Sequence, residues 1–211
     1  PDAAAAGLAA DAKSGAKRTL EDKFLRWMFF HVFTRPTRLK LALLPARLMQ
    51  RIGLYAFLRK SGVMKILPPQ LRKMEQMLPA TGPLWPEALP ERQRHSSDAA
   101  GEKSKTVGFF PGCIGSVMFT DVNRKAVELL LAAGADVVVP KSQGCCGAIP
   151  EHMGRAGEAK AMAEANLAAW SKAGKLAAIV TTAAGCGTML KSYGRIAGKA
   201  VPAKDILEFI A

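Results

Sequence analysis

The chain has 211 residues, 49% of them hydrophobic, and a formal net charge of +13. That length supports one sizeable core plus an appendage, and that apolar share excludes wholesale disorder. No apolar run reaches the roughly 18 residues that cross a bilayer, and no basic segment followed by an apolar one opens the chain as in a secretory signal. The expectation is a cytoplasmic protein, or one held peripherally on the inner face of the cell membrane. A start at Pro1 reads as a piece of something longer. Four cysteines are few for a disulfide scaffold and are better read as metal ligands or redox groups.

The charge is unevenly spread. Residues 1–106 carry 19 Lys and Arg against 9 Asp and Glu, whereas residues 107–211 carry 11 against 8. Between Phe24 and Met74 there is no acidic residue. Residues 1–20 are Ala-rich and read as a tail, or as the end of an upstream region. Residues 21–80 mix apolar and basic residues at helical spacing, interrupted at Pro36, Pro45 and Pro68-Pro69, which predicts a basic arm of short helices joined at prolines. Residues 81–106 are polar, contain Pro83, Pro86 and Pro90, and read as a linker.

From residue 107 the pattern changes. Val107-Gly108-Phe109-Phe110 predicts a strand, followed by a loop with Cys113 and a helix from about 120 to 133 that stops at Gly134. Asp136 to Val139 predicts a second strand, with Cys145 and Cys146 in its loop and a helix from about 155 to 172 after it. Leu176 to Thr181 predicts a third strand, then a loop with Cys186 and a short helix through Tyr193. Asp205 is placed to cap a last helix. Alternation of strand and helix predicts an α/β fold: a small parallel, Rossmann-like sheet between helical layers, over residues 107–211.

In such a sheet the loops after the strands emerge together at the carboxyl edge, where ligands bind. Cys113, Cys145, Cys146 and Cys186 are thus expected at one site, with glycines beside each: Gly112, Gly144, Gly147, Gly185 and Gly187. Glycine lets backbone approach a bulky ligand, and loop N–H groups can bond to cluster sulfurs. Three readings stay open on pattern alone. An iron–sulfur cluster accommodates adjacent cysteines because neighbouring thiolates can take different irons. Zinc favours paired knuckles of the C-x2-C kind, absent here. Redox thiols or inert core cysteines are the third. His152 and Glu151 read as a solvated histidine and a surface carboxylate, and His31 as a core or interface residue. No grouping suggests catalytic side chains.

Phe110-Pro111-Gly112-Cys113, Gln143-Gly144-Cys145-Cys146-Gly147, and Gly185-Cys186-Gly187 with Leu190 and Tyr193 resemble the cysteine-rich CCG domain. That domain occurs in heterodisulfide reductases, lactate-utilisation proteins and iron–sulfur subunits of glycolate oxidase. VVPKSQGCCGAIPEHMGR and AAGCGTMLKSYG are most similar to the last of these. The resemblance implies that the four cysteines ligate a cluster. Met189 stands where a further cysteine occurs in heterodisulfide reductases, so a four-cysteine [4Fe-4S] centre is the expectation. It also implies an electron-transfer role beside a flavin-containing oxidase subunit, with FAD on that partner only and a quinone as acceptor. Packing within such a complex is the first reading of the basic arm, peripheral membrane contact the second and nucleic acid the third. Direct thiol–disulfide chemistry is a further alternative.

Overall fold

The computed structural model describes residues 20–66, 68, 72–73, 75, 83–95 and 104–211. The tail read at 1–20 lies almost wholly outside the described residues, as do much of 67–82 and residues 96–103 of the linker reading.

The arm begins with α1 (Leu20–Met28), whose last turn passes into a π-helical turn at Phe29–Phe33. Helix α2 (Pro36–Arg51) starts with Pro36 in its first turn, where a missing N–H leaves nothing unpaired. The break expected at Pro45 does not occur: Pro45 lies inside α2. It is exposed, as is Leu41, whose carbonyl the proline leaves without a helical donor, so water can satisfy that group. The true break is Gly53, at φ 76, followed by α3 (Leu54–Lys60) and a 3-10 turn at Val63–Ile66.

The sheet has five strands in the order β1-β3-β2-β4-β5: β1 (Arg92–Gln93), β2 (Lys105–Phe109), β3 (Ala135–Val138), β4 (Ile179–Thr181) and β5 (Ala203–Asp205). The last four are parallel, with Lys105 opposite Ala135, Gly108 opposite Ile179, and Ile179 opposite Ala203. Strand β1 comes from the stretch read as a linker and pairs antiparallel with β3, Arg92 opposite Val138. Between β2 and β3 run α4 (Gly115–Met118) and α5 (Thr120–Ala132). Between β3 and β4 run α6 (Ala148–His152) and α7 (Ala156–Lys172). Helices α8 (Ala184–Lys191) and α9 (Tyr193–Ala197) lead to β5, and α10 (Ile206–Ile210) follows it.

Strand alternation divides the core in two. Val107, Phe109, Val137, Val139 and Val180 pack with Ala126, Val127 and Leu130 of α5, and with Ile206 and Phe209 of α10. Ile179 and Ala203 point the other way and pack with Ala159, Ala163 and Trp170 of α7 and Leu190 and Tyr193 of α8 and α9. Helices on both faces make three layers.

The arm lies against both halves of the cysteine-bearing edge. Phe30 is buried between two guanidinium groups, Arg155 at 4.2 Å and Arg26 at 5.7 Å from its ring centre. Farther along, buried Arg47 donates from Nη2 to Val117 O at 2.6 Å, the carbonyl near the end of α4.

Candidate metal centre

Cys113 follows β2 in the turn that opens α4; Cys145 and Cys146 lie in the loop after β3; Cys186 follows β4. The structure brings all four together. Cys113 Sγ lies 3.5 Å from Cys145 Sγ, Cys145 interacts with Cys146, and Cys146 with Cys186. None is in a disulfide, and the first three are buried. Cys186 is half-buried, and its position differs from the expected loop: it sits in the first turn of α8, because the helix starts at Ala184. A helix N-terminus favours a thiolate.

Each sulfur's hold on its proton is set by its neighbours. The bond that Cys113 gives to Cys145, with burial, pushes the Cys113 thiol far up. Cys145 is held well down by the bonds it accepts from Cys113 and Cys146. Cys146 is raised by its bonds with Cys145 and Cys186 and by burial, and Cys186 is lowered by Cys146. Gly147 N–H also points at Cys145 Sγ, at 3.5 Å.

Two glycines are required by geometry. Gly112 has φ 72, and a Cβ there would stand 3.3 Å from Cys186 Sγ. Gly147 has φ 92, and a Cβ would stand 3.0 Å from Ala159 O and 3.1 Å from Met189 Cε. The other three have room for a side chain. Gly144 uses its N–H on Asn166, Gly185 lies in the first turn of α8, and Gly187 donates its N–H to Ala183 O at 2.8 Å, which removes it as a donor to sulfur. Met189 is a buried packing residue of the second core.

The cysteine loops are held by polar side chains that the sequence pattern does not single out. Asn166 is fully buried on α7, on the face that carries Ala159, Ala163 and Trp170. Its Oδ1 accepts from Gly144 N–H at 2.8 Å, and its Nδ2 donates to Cys145 O at 2.9 Å and to Tyr193 Oη at 3.0 Å. Tyr193 donates to Cys146 O at 2.9 Å, and its hydroxyl is pushed up chiefly by burial. Trp170 Nε1 donates to Gln143 Oε1, and Gln143 Nε2 to Phe109 O. Across the site, buried Asn123 donates to Pro111 O at 3.2 Å and accepts from Thr182 Oγ1 at 3.1 Å, tying the Cys113 loop to the segment before Cys186. A signal for Asn166 existed: a polar residue in register with an otherwise apolar helical stripe.

His152 is exposed at the end of α6, while Glu151 accepts from Arg195 Nη2 at 3.1 Å. His31 is exposed and stacks on Trp27, with ring centres 5.7 Å apart, so it is not a core residue. Among the described residues no three or more His, Cys, Asp or Glu side chains are spaced to hold a single metal ion. The donor set at the edge is four thiols, and it fits a group held by cysteine sulfur alone.

Two family models match the chain: "Glycolate oxidase iron-sulfur subunit, linker region" over residues 21–78, and "Cysteine-rich domain" over residues 107–191. Among curated relatives, the probable glycolate oxidase iron-sulfur subunit of Bacillus subtilis is 36% identical over 182 residues, covering 85% of this chain and 40% of that protein. The glycolate oxidase iron-sulfur subunit of Escherichia coli is 30% identical over 119 residues, 51% of this chain and 29% of that protein. A lactate utilization protein of Geobacillus kaustophilus is 33% identical over 90 residues, 43% and 36% respectively. The chain thus spans two fifths or less of each of these relatives. No solved structure matches.

Proposed function

We propose that this chain, which joins the linker region of glycolate oxidase iron–sulfur subunits to a CCG cysteine-rich domain, serves as the electron-transfer part of a 2-hydroxy acid oxidoreductase. The observation that carries the reading is the meeting of Cys113, Cys145, Cys146 and Cys186 at one buried edge. These four cysteines would hold an iron–sulfur cluster, taken as [4Fe-4S] because the donor set is four thiols and Met189 is a packing residue. When bound, such a cluster accepts and releases single electrons.

The chain's own residues set the environment. Cys113, Cys145 and Cys146 are buried from water while Cys186 is half-buried, and Gly147 N–H places a donor beside Cys145. Asn166, Tyr193 and Asn123 fix the loops so that the sulfurs keep their places without rearrangement. Hydride removal from a 2-hydroxy acid belongs to a flavin, assigned here to a partner subunit, with a quinone as the onward acceptor. The arm suits a peripheral position on an anionic membrane surface or against that partner. Phe24, Trp27, Ile52 and Phe57 are all more than half exposed amid basic residues. No single described helix is long and apolar enough to cross a membrane, though α2 and α3 together, bent by 75°, reach that length and composition.

Iron and acid-labile sulfide in the anaerobically purified chain test the cluster. Both are expected in stoichiometric amounts, and zinc without sulfide would overturn the reading. The role is tested by dye reduction with glycolate, expected only after the flavoprotein partner is added; steady turnover by this chain alone would return the site to substrate chemistry. Direct thiol–disulfide chemistry is the second reading, favoured by the Cys113–Cys145 contact at 3.5 Å. It predicts that the sulfide-free protein reacts with an added disulfide.

A further inference from the structure

Between the arm and the domain, on the cysteine-bearing edge, lies a cavity of about 400 Å³. That volume is within the range of about 300–1,000 Å³ that holds small molecules. Gly112 and Gly144, the residues just before Cys113 and Cys145, form part of its wall. Leu89, Pro111 and Pro140 make another part apolar.

Its charged lining is Lys40, Lys141 and Glu87, a net of one positive charge. Among the described residues neither lysine is in an ion pair. Lys40 donates to Pro86 O at 2.6 Å and lies 5.3 Å from the centre of the Trp85 ring. It is also close enough to Arg47 to feel its charge. Arg47 is itself buried, bonded to the carbonyls of Val117 and Leu84. A carbonyl dipole holds the half-buried Lys40 ammonium without neutralising it, and Arg47, which lies behind Lys40 and does not line the cavity, adds to the positive field there. An anion in the cavity would meet that field.

We propose that this cavity binds a small organic monocarboxylate, its carboxylate between Lys40 and Lys141 and its carbon body against Leu89, Pro111 and Pro140. A monoanion balances the net charge. A dianion such as phosphate would meet Glu87 with excess negative charge and would leave the apolar wall unused. The proposal stands on the cavity and its cations, and is separate from what the cysteines hold.

The test is calorimetric titration of the purified, cluster-loaded chain at constant ionic strength with butyrate, glycolate, inorganic phosphate and chloride. Saturable binding of butyrate or glycolate is expected, tighter than that of phosphate or chloride. Lys40→Met and Lys141→Met should each weaken it by about tenfold, roughly 1.4 kcal/mol, and Glu87→Gln should improve phosphate binding. No saturable carboxylate binding overturns the proposal, as does unchanged affinity in both lysine variants. Phosphate binding tighter than either carboxylate also overturns it, since the site then takes inorganic oxyanions. Iron and sulfide measured on every sample separate loss of this site from failure of the cluster reading. Lys141 is exposed on a turn, so its variant carries the test if Lys40→Met does not fold.

Discussion

At the scale of single residues, the cysteines and their flanking glycines stand out in the sequence, while the groups that hold them do not. Asn166 is the most connected of these, with three hydrogen bonds to the cysteine loop and Tyr193. Asn166→Ala removes all three, leaving the buried Cys145 C=O without a partner and the N–H of exposed Gly144 to water. With roughly 1–3 kcal/mol for a buried group left unsatisfied, the loss should be about 2 kcal/mol. Urea unfolding measures it, and iron content should fall with it. Tyr193→Phe keeps the ring that stacks on Trp170 and removes the bond to Cys146 O, so its cost should be about 1–2 kcal/mol. In one dimension Asn166 shows only as a polar residue in register with Ala159, Ala163 and Trp170. Which loop it clamps is decided when α7 turns that face toward the cysteines, which depends on the tertiary fold. Away from the site, Asp136 accepts from Ser104 Oγ at 2.7 Å and has His95 N and Nδ1 at 3.1 and 3.0 Å. Those bonds, Ser104's first, hold its carboxyl down to about 2, below the usual 3.8. A group whose folded-state pKa is lower than its unfolded one stabilises fully above the unfolded value and loses that contribution as pH falls. Stability should therefore drop between about pH 4 and pH 2 more steeply in the natural protein than in Asp136→Asn. Unfolding midpoints across that window decide it.

At the scale of elements, the longer pieces follow the apolar periodicity and the shorter ones do not. Helix α5, expected from about 120 to 133, is Thr120–Ala132, and α7, expected from about 155, is Ala156–Lys172. Both carry apolar residues at helical spacing and end near a glycine. Strands β1 and β5 carry no such mark in the sequence. They have 2 and 3 residues, too few for alternation to register, and each exists because a neighbouring strand offers an edge. Pro45 misleads in the opposite direction: it costs the helix one bond, but Leu41, whose carbonyl loses its donor, is exposed, so water can serve that carbonyl and the helix runs on. The last helix is legible through its cap. Asp205 accepts from Leu207 N–H at 3.0 Å, and Glu208 accepts from Asp205 N–H at 2.8 Å, a complete capping box. Asp205→Ala should cost about 1 kcal/mol. Since β5 leads straight into α10, hydrogen exchange at Ala203 to Asp205 should quicken in that variant. Unchanged protection there would show that β5 is held by β4 alone.

At the scale of the molecule, the two cores differ in how they treat the cysteines, and that sets their order of importance for folding. The core beneath α5 and α10 contains none of them: Val107, Phe109, Leu130, Val137 and Val180 are closed over by aliphatic neighbours. The core beneath α7 to α9 includes Cys146, packed with Phe110, Ala159, Trp170, Met189 and Tyr193, and Cys186 at its margin. Cys113 and Cys145 are buried too, but in neither core. Their burial comes from each other and from the loops. Replacing sulfur by a hydroxyl in an apolar setting costs the desolvation of a polar group, roughly 1–3 kcal/mol where no partner is found. At Cys146 that hydroxyl meets aromatic and aliphatic carbon on one side, and its bonds are to the Cys145 and Cys186 sulfurs alone. At Cys113 and Cys145 it meets a loop N–H as well as a sulfur, that of Ile114 and of Gly147 respectively, and these can bond to it. All three serine variants should therefore lose iron, yet their stabilities should separate once the metal is chelated away. Cys146→Ser should be the least stable, by about 1–2 kcal/mol relative to Cys113→Ser and Cys145→Ser. Far-ultraviolet circular dichroism of all three should stay close to that of the parent, because the first core needs no cysteine. Iron retention in Cys113→Ser, Cys145→Ser and Cys146→Ser together would refute the ligand assignment. Equal unfolding midpoints with iron lost would leave the ligands in place and refute only the claim that Cys146 belongs to the packing.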